Sequence, residues 1–214
     1  MTRKVFLFEI LLIAAALAAT AVLYPHFPAS VALHWNYHFE PDRYGPRWEL
    51  YLYGPGFMTA VMGLTWLLPG LSPKRFEIDR FWSTYHRVML LVFGIMTYSY
   101  AVILWADCGR AIGMGRTVLC GVSLFIVLTG NVMGKLRRNF YLGIRTPWTL
   151  TSERVWNETH RFAARITVAG GMVGLALSIA GLYLWALLAI LVPLLASVVY
   201  SLVIYKQLER RGEL

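Results

Sequence analysis

Long apolar stretches alternate with short polar segments along the whole chain. Six of these stretches are close to the roughly 20 residues that a helix needs to cross a hydrocarbon core about 30 Å thick. They cover residues 5–24, 51–68, 88–106, 117–134, 166–184 and 186–205. This pattern predicts an all-α membrane protein, a bundle of six transmembrane helices.

Residues 166–205 are apolar almost without a break. One helix of that length would be roughly 60 Å long, about twice the thickness of the hydrocarbon core. The chain must therefore reverse, and the segment from Gly181 to Trp185 is the predicted turn. Gly181 weakens a helix, while the rings of Tyr183 and Trp185 suit the membrane interface.

The composition agrees with this pattern. Of the 214 residues, 58% are hydrophobic and only 14% are charged, which excludes a soluble globule. No linker divides the chain, so we predict one integral membrane domain, with a two-span unit over 1–70 and a four-span unit over 71–214. The first stretch follows Arg3 and Lys4, as a secretory signal does. Its apolar core is longer than that of a signal, which predicts a retained span.

The basic residues indicate the orientation. Placing the N-terminus inside leaves four of the 20 lysines and arginines outside, Arg43, Arg47, Arg110 and Arg116, and puts the other 16 inside. The positive-inside rule therefore predicts that both termini are cytoplasmic. A basic face against anionic membrane lipid also accounts for the net charge of +9, so we expect no direct nucleic-acid partner.

The outer loop, residues 26–50, is interrupted by prolines, which favour an ordered irregular or short-strand segment over a helix. Its imidazole and carboxylate groups have two interpretations. His34, His38 and Asp42 are candidate ligands of a divalent metal. Alternatively, His34 and Asn36 form hydrogen bonds to the loop backbone and Asp42 caps a turn. This second interpretation is favoured, because His34 and His38 are four residues apart and would point the same way only on a helix. The many aromatic residues of this loop fit an interfacial belt, a peptide-binding platform, or both.

The inner segment, residues 139–165, begins with a predicted turn. Gly143 gives the backbone freedom, Pro147 forces Thr146 to be extended, and Thr149 or Thr151 can cap a helix that begins near residue 152.

An amphipathic helix is predicted to follow that turn and to continue into the fifth span, because Trp156, His160 and Ala163 recur at helical spacing. We expect Glu153 or Glu158 to pair with Arg145, Arg161 or Arg165. A mere connection does not require so many polar and aromatic side chains, which indicates an organised site. Arg145 is the leading candidate because a guanidinium bonds a carboxylate through two parallel N–H groups.

These residues resemble the signature of the SdpI family of bacterial multi-pass membrane proteins. The matching positions are Asn139, Gly143, Arg145, Thr146, Pro147, Trp148, Thr149, Glu153, Trp156, Thr159, His160 and Arg161. The run from His34 to Asp42 is similar to a small domain of unknown function that often forms the N-terminal part of longer members. Phe39 stands where that pattern usually has a glycine.

The resemblance implies an immunity protein in the bacterial cytoplasmic membrane that protects against a membrane-active peptide toxin. The founding member also signals by sequestering a transcriptional repressor. By this resemblance, a toxin would meet the outer loop or the bundle. A repressor would bind the inner segment through Trp148, Glu153, Trp156 and Arg161.

Other features leave alternatives open. Glu9 is expected to pair with an arginine at the inner face, and Cys108 and Cys120 are expected to be unpaired. The chain has no phosphate loop, nucleophile elbow or paired catalytic carboxylates, so we predict no catalytic residue and no cofactor. The alternatives are a metal-dependent membrane enzyme that uses His34, His38 and Asp42, and a signalling protein without a toxin ligand.

Overall fold

The computed structural model describes residues 2–71 and 81–214. Lys74, Arg75 and Arg80, which were predicted to be cytoplasmic, lie outside the described residues. The described chain forms α1 (Thr2–Leu23), β1 (Ser30–Trp35), β2 (Pro41–Pro46), α2 (Phe57–Leu67), α3 (Trp82–Asp107), α4 (Met114–Met133), α5 (Pro147–Thr151), α6 (Glu153–Ile179) and α7 (Tyr183–Arg210). Five of these helices, α1, α3, α4, α6 and α7, are long and apolar enough to cross a membrane. The predicted helical membrane protein is therefore confirmed, with a small β-hairpin added.

The second predicted span is helical, but it is not one α-helix. Helical backbone runs from Arg47 to Leu71, with α2 flanked by short 3-10 and π turns. The π turn contains Pro55, which has no N–H to donate to the preceding turn. Beside it, Gly54 leaves room for the ring of Tyr100 in α3, which a Cβ at this position would overlap.

The two ends of the bundle are defined by contacts at opposite ends of α7. At one end, the rings of Phe39 and Tyr183 pack with centroids 5.6 Å apart. At the other end, Trp148 Nε1 donates to Ser201 Oγ over 2.6 Å. Tyr183 and Ser201 both belong to α7 and are about 27 Å apart at ~1.5 Å per residue. We call these the hairpin end, after residues 30–46, and the basic end, after residues 135–161.

Close packing among α4, α6 and α7 depends on small residues of α6. A Cβ on Gly170 would overlap the carbonyl oxygen of Ala189 in α7, and one on Gly171 would press on Val127 of α4. These glycines therefore form a small-residue face on which the neighbouring helices approach closely. Between α6 and α7, Gly181 has a φ of 78°, which confirms the predicted reversal.

Glu9 is fully buried in α1, and its partner is not an arginine. Glu9 Oε2 accepts a hydrogen bond from Trp66 Nε1 over 2.8 Å. Among the described residues Glu9 forms no ion pair, so the predicted arginine partner is wrong there. An indole on α2 supplies the donor instead. Cys108 and Cys120 are both free, as predicted.

Strands β1 and β2 form an antiparallel hairpin whose register is irregular near His34. Asn36 shapes its turn, because Asn36 Oδ1 accepts hydrogen bonds from the backbone N–H groups of His38 and Glu40, at 2.9 Å and 3.1 Å. These contacts confirm the predicted ordered short strands and the predicted bond of Asn36 to the loop backbone.

Phe39 completes this turn without the usual glycine. Its φ of 62° makes it the one non-glycine residue with a positive φ in the described chain. This conformation costs an L-residue roughly 1–2 kcal/mol. The Phe39 ring packs edge-on against Tyr183 of α7 and over Gly115 of α4, where a Cβ would overlap it. Packing of the ring between α4 and α7 therefore offsets the backbone strain.

Asp107 anchors the hairpin to the end of α3. Asp107 Oδ1 accepts a hydrogen bond from the backbone N–H of Ala32 over 3.0 Å. Next to this contact, Val31 and Phe27 join Phe93 and the rest of a buried hydrophobic cluster. The hairpin is thus packed on the bundle by both polar and apolar contacts.

Substitutions of Phe39 test whether the ring compensates for a strained backbone. Both Phe39→Ala and Phe39→Gly remove the ring, but only glycine also removes the cost of the positive φ. We expect both variants to unfold at lower temperature than the native chain in detergent. The glycine variant should be more stable than the alanine variant by about 1 kcal/mol.

The matched control is Tyr37, an exposed residue of the same turn whose φ is not positive. The Tyr37→Ala variant should be at least as stable as the Tyr37→Gly variant. At this position glycine relieves no backbone strain, and it loses more conformational entropy on folding. An alanine variant of Phe39 as stable as the glycine variant would contradict the strain at this position.

Candidate functional site

The loop after α4 is folded around one buried amide. Asn139 is fully buried, and its Nδ2 donates to the carbonyl oxygens of Arg137 and Leu142, at 2.8 Å and 3.1 Å. Its Oδ1 accepts from the backbone N–H groups of Tyr141 and Leu142, both at 2.7 Å. Because all these partners belong to the loop backbone, Asn139 fixes the loop conformation rather than facing a ligand.

His160 holds the next part of this loop. The backbone N–H of Ile144 donates to His160 Nε2 over 3.0 Å, and His160 Nδ1 lies 2.8 Å from the carbonyl oxygen of Trp156. A carbonyl oxygen only accepts, so the proton of the neutral ring is on Nδ1 and Nε2 is the acceptor. Gly143 has a φ of 101°, and a Cβ there would overlap the imidazole. Only glycine fits this close approach of the backbone.

Trp156 lies beneath His160 in the same cluster. The two rings stack with centroids 4.0 Å apart, and both side chains are buried. Trp156 Nε1 donates to the carbonyl oxygen of Leu136 over 2.8 Å. Trp156 therefore joins α6 to the end of α4. Its buried position does not support the expectation that it contacts a repressor.

A short helix that the sequence did not predict, α5, connects the loop to α6. Thr146 Oγ1 accepts from the backbone N–H of Thr149, Thr149 Oγ1 accepts from that of Thr146, and Pro147 occupies the first turn. This is a reciprocal capping box. The cap of α6 is Ser152, whose Oγ accepts from the N–H of Val155, so the predicted capping by Thr149 or Thr151 is wrong. Both threonines instead bond within and around α5.

Trp148 docks α5 against α7. It is half-buried, and its indole N–H donates to Ser201 Oγ over 2.6 Å. Ser201 in turn donates to the carbonyl oxygen of Val198. This contact ties the loop to a helix more than fifty residues further along the chain.

The exposed charges of the basic end pair differently from the prediction. Glu153 approaches Arg137 at 3.9 Å, with about three fifths of each side chain exposed, which makes a weak ion pair. Arg154 pairs with Glu213 at 2.6 Å, near the end of the chain. Arg145 donates to the carbonyl oxygen of Phe140 and, like Arg161 and Arg165, forms no ion pair within the described part of the chain.

The predicted motif thus divides into two sets. One set is buried and builds the loop: Asn139, Thr149, Trp156, Thr159 and His160. The other is exposed at the surface of the basic end: Gly143, Arg145, Pro147, Glu153 and Arg161. Thr146 and Trp148 lie between these sets and are half-buried. Any partner of this end meets the exposed set.

The metal candidates of the hairpin end are not brought together. His34 Nδ1 lies 2.6 Å from Asp42 Oδ1 on an exposed surface. His38 instead packs against the ring of Tyr37, with centroids 3.8 Å apart and the ring planes tilted by 40°. Residues 2–71 and 81–214 contain no group of three His, Cys, Asp or Glu side chains that could hold a metal ion. The described residues therefore offer no ligand set for the metal-dependent alternative. Asp42 was predicted to cap a turn, but its carboxylate pairs with His34 instead.

Two residues that position these surfaces escaped the sequence analysis, Asp107 and Ser201. An acid at the edge of an apolar stretch is a signal that would have identified Asp107. Ser201 carries no such signal, because a serine in an apolar helix usually bonds to its own backbone.

Comparisons with known proteins cover both ends of the bundle. The SdpI/YfhL protein family model matches residues 135–206, which include the folded loop, α5, α6 and most of α7. A domain of unknown function, DUF1648, matches residues 11–59, which include the hairpin. No solved structure matches the chain.

Over 198 residues the chain is 25% identical to "Immunity protein SdpI" of Bacillus subtilis (strain 168), and the alignment covers 92% of each protein. Together with the membrane-length helices, this similarity identifies a multi-pass bacterial membrane protein. Residues 135–206 are thus similar to the SdpI/YfhL protein family, and a segment similar to DUF1648 lies on their N-terminal side.

Proposed function

We propose that the protein is a membrane immunity protein that gives resistance to a membrane-active peptide toxin. The observation that carries this proposal is the extent of the similarity to the immunity protein, 92% of each chain. An alignment of this length includes the hairpin and the folded loop as well as the apolar helices.

In this proposal the chain crosses the membrane six times, with the segment 52–71 as the second crossing. Gly54 of this segment meets Tyr100 in the second half of α3. Further along, the hydroxyl of Tyr85 near the start of α3 donates to the carbonyl oxygen of Thr65 over 2.6 Å. These contacts support a path from the hairpin end to the basic end. At ~1.5 Å per residue its length is about 30 Å, enough for the hydrocarbon core.

The basic end faces the cytoplasm, because the positive-inside rule places clustered lysine and arginine there. The hairpin end then faces outward, where a secreted toxin arrives.

The toxin binds at the hairpin end. Four aromatic side chains there are about half exposed or more: Tyr37 81%, Tyr44 58%, Trp48 51% and Tyr53 48%. Exposed tyrosine and tryptophan give large contact area at low entropic cost, which suits a peptide ligand at a membrane surface. Asp107 and the packed Phe39 ring join this surface to α3, α4 and α7.

A cytoplasmic repressor binds the exposed set at the basic end. Arg145 has one backbone bond and N–H groups left for a carboxylate, and Glu153 offers the opposite charge nearby. Trp156 has a structural role in this proposal, since it is fully buried. Signalling requires that the toxin bind two arrangements of the bundle with different affinity.

A toxin challenge tests the proposal. Expression of the chain in a sensitive host should raise survival in the presence of the peptide toxin of the founding family member. Tyr37→Ala combined with Trp48→Ala should return survival towards that of cells without the protein, because the exposed aromatic contacts are lost. Arg145→Ala should leave survival unchanged but lower recruitment of a fluorescently tagged repressor of the founding system to the membrane.

Membrane abundance is measured for every variant. Trp185→Ala is the matched control for the aromatic pair, because Trp185 is also exposed near the hairpin end but belongs to α7. Gly143→Ala is the control for Arg145→Ala, because a Cβ on Gly143 would overlap His160 and disturb the folded loop. We expect the Gly143 variant to have lower membrane abundance, and the Arg145 variant to have the abundance of the native chain. No gain of survival from native protein at normal abundance would contradict the immunity function.

The orientation is tested separately with single cysteines in a chain whose Cys108 and Cys120 are replaced by serine. Tyr37→Cys should react with a membrane-impermeant maleimide in intact cells, and Glu153→Cys only after the cells are permeabilised. Both positions are well exposed, so access depends on the side of the membrane. Labelling of both, or of Glu153→Cys alone, in intact cells would contradict the six-span arrangement or its orientation.

A further inference from the structure

A polar cavity lies where α4 ends and α6 passes beside it. Its volume is ≈ 300 Å³, and its lining includes the side chains of Lys135, Arg137, Asn157 and Arg161. We call this the basic pocket. The function proposed above uses only Arg161 of this lining and does not account for a concave site formed with Lys135, Arg137 and Asn157.

The charges of the basic pocket are poorly balanced by the protein. Glu153 reaches Arg137 only at 3.9 Å, and about three fifths of each side chain is exposed. Lys135 and Arg161 have no carboxylate partner in the described residues. Three cations and one amide donor facing one cavity are suited to an anion with several acceptor oxygens.

The walls of the basic pocket are held in place by the last turn of α4 and by Trp156 of α6. The backbone N–H of Lys135 donates to the carbonyl oxygen of Val132 over 3.0 Å, and that of Leu136 to Met133 over 3.1 Å. Leu136 is buried, and its own carbonyl oxygen accepts from Trp156 Nε1. The cations therefore project from a fixed backbone turn, which lowers the entropic cost of binding an anion.

An exposed stripe on α4 leads from the basic pocket into the apolar part of the bundle. Leu124, Leu128 and Asn131 are exposed at intervals of three or four residues, and Lys135 follows at the same interval. Leu124 and Leu128 also line an apolar groove between α3 and α4, together with Leu91, Tyr98 and others. The groove has a volume of ≈ 180 Å³.

We propose that the basic pocket and this groove form one site for an anionic phospholipid. The phosphate of the headgroup lies among Lys135, Arg137 and Arg161, and an acyl chain follows the α4 stripe into the groove. The exposed α4 stripe between the two cavities favours a lipid over a soluble phosphate, because a soluble phosphate has no apolar part to contact the groove. Basic pockets at the cytoplasmic ends of membrane helices are suited to such headgroups.

Native mass spectrometry of the full chain, with titrated lipid, tests this site. Phosphatidylglycerol is the anionic probe and phosphatidylcholine the zwitterionic one. Lys135→Gln combined with Arg161→Gln should weaken phosphatidylglycerol binding about tenfold and leave phosphatidylcholine binding unchanged. Arg211→Gln combined with Arg210→Gln is the matched control, with the same charge change on exposed residues at the same end. This control should bind phosphatidylglycerol as the native chain does.

Two further experiments test whether the site prefers a lipid to free phosphate and whether the apolar groove contributes to binding. Inorganic phosphate at the lipid concentration should not displace phosphatidylglycerol, and Leu128→Asn should weaken the lipid without changing the charge. Lys135 and Arg161 are exposed, so we expect the single variants Lys135→Gln and Arg161→Gln to unfold at the same temperature as the native chain. If the double variant is unstable, the loss of phosphatidylglycerol binding is measured on these single variants instead. Equal losses in the pocket and control variants, no loss in either, or displacement by inorganic phosphate would overturn the proposal.

Discussion

The structure of the basic end depends on hydrogen bonds that a buried aromatic pair makes to the loop backbone. Trp156 and His160 are packed away from water at the point where α6 approaches the end of α4. A buried N–H or ring nitrogen without a partner costs about 1–3 kcal/mol. The loop supplies these partners through the carbonyl oxygen of Leu136 and the N–H of Ile144. The loop conformation is thus fixed by the need to satisfy the α6 side chains.

Several other features follow from this constraint. With Ile144 held against His160, only a glycine at position 143 leaves room for the imidazole. The chain then enters α5 through its capping box, which positions Trp148 to reach Ser201 of α7. The turn at Leu136 also sets Lys135 and Arg137 at the rim of the basic pocket. The same buried cluster therefore organises both the surface proposed for a protein partner and the cavity proposed for a lipid.

The sequence predicted the apolar helices, the reversal near Gly181 and the ordered outer loop, because each depends on local composition and chain length. It did not predict the π turn around Pro55 or the left-handed Phe39. The conformation of Phe39 depends on partners in distant helices, Tyr183 and Gly115, and beside the π turn Gly54 leaves room for the distant ring of Tyr100. The helical spacing placed Trp156 and His160 on one face of α6, but it could not reveal that the folded loop covers that face, because the contacts to Leu136 and Ile144 are made across the chain. Within the motif, residue types identified the segment but not the division into buried and exposed sets.

The protonation state of His160 tests the folded loop most directly. In nitrogen-15 NMR spectra of the labelled protein in lipid bilayers, the His160→Gln variant identifies the His160 signals by their disappearance. We expect a neutral ring with its proton on Nδ1 and an unprotonated Nε2 that accepts the hydrogen bond of the Ile144 amide. A ring protonated on Nε2, or a doubly protonated ring, would contradict it, because Nε2 could then not accept from Ile144 and the loop would not be held against α6.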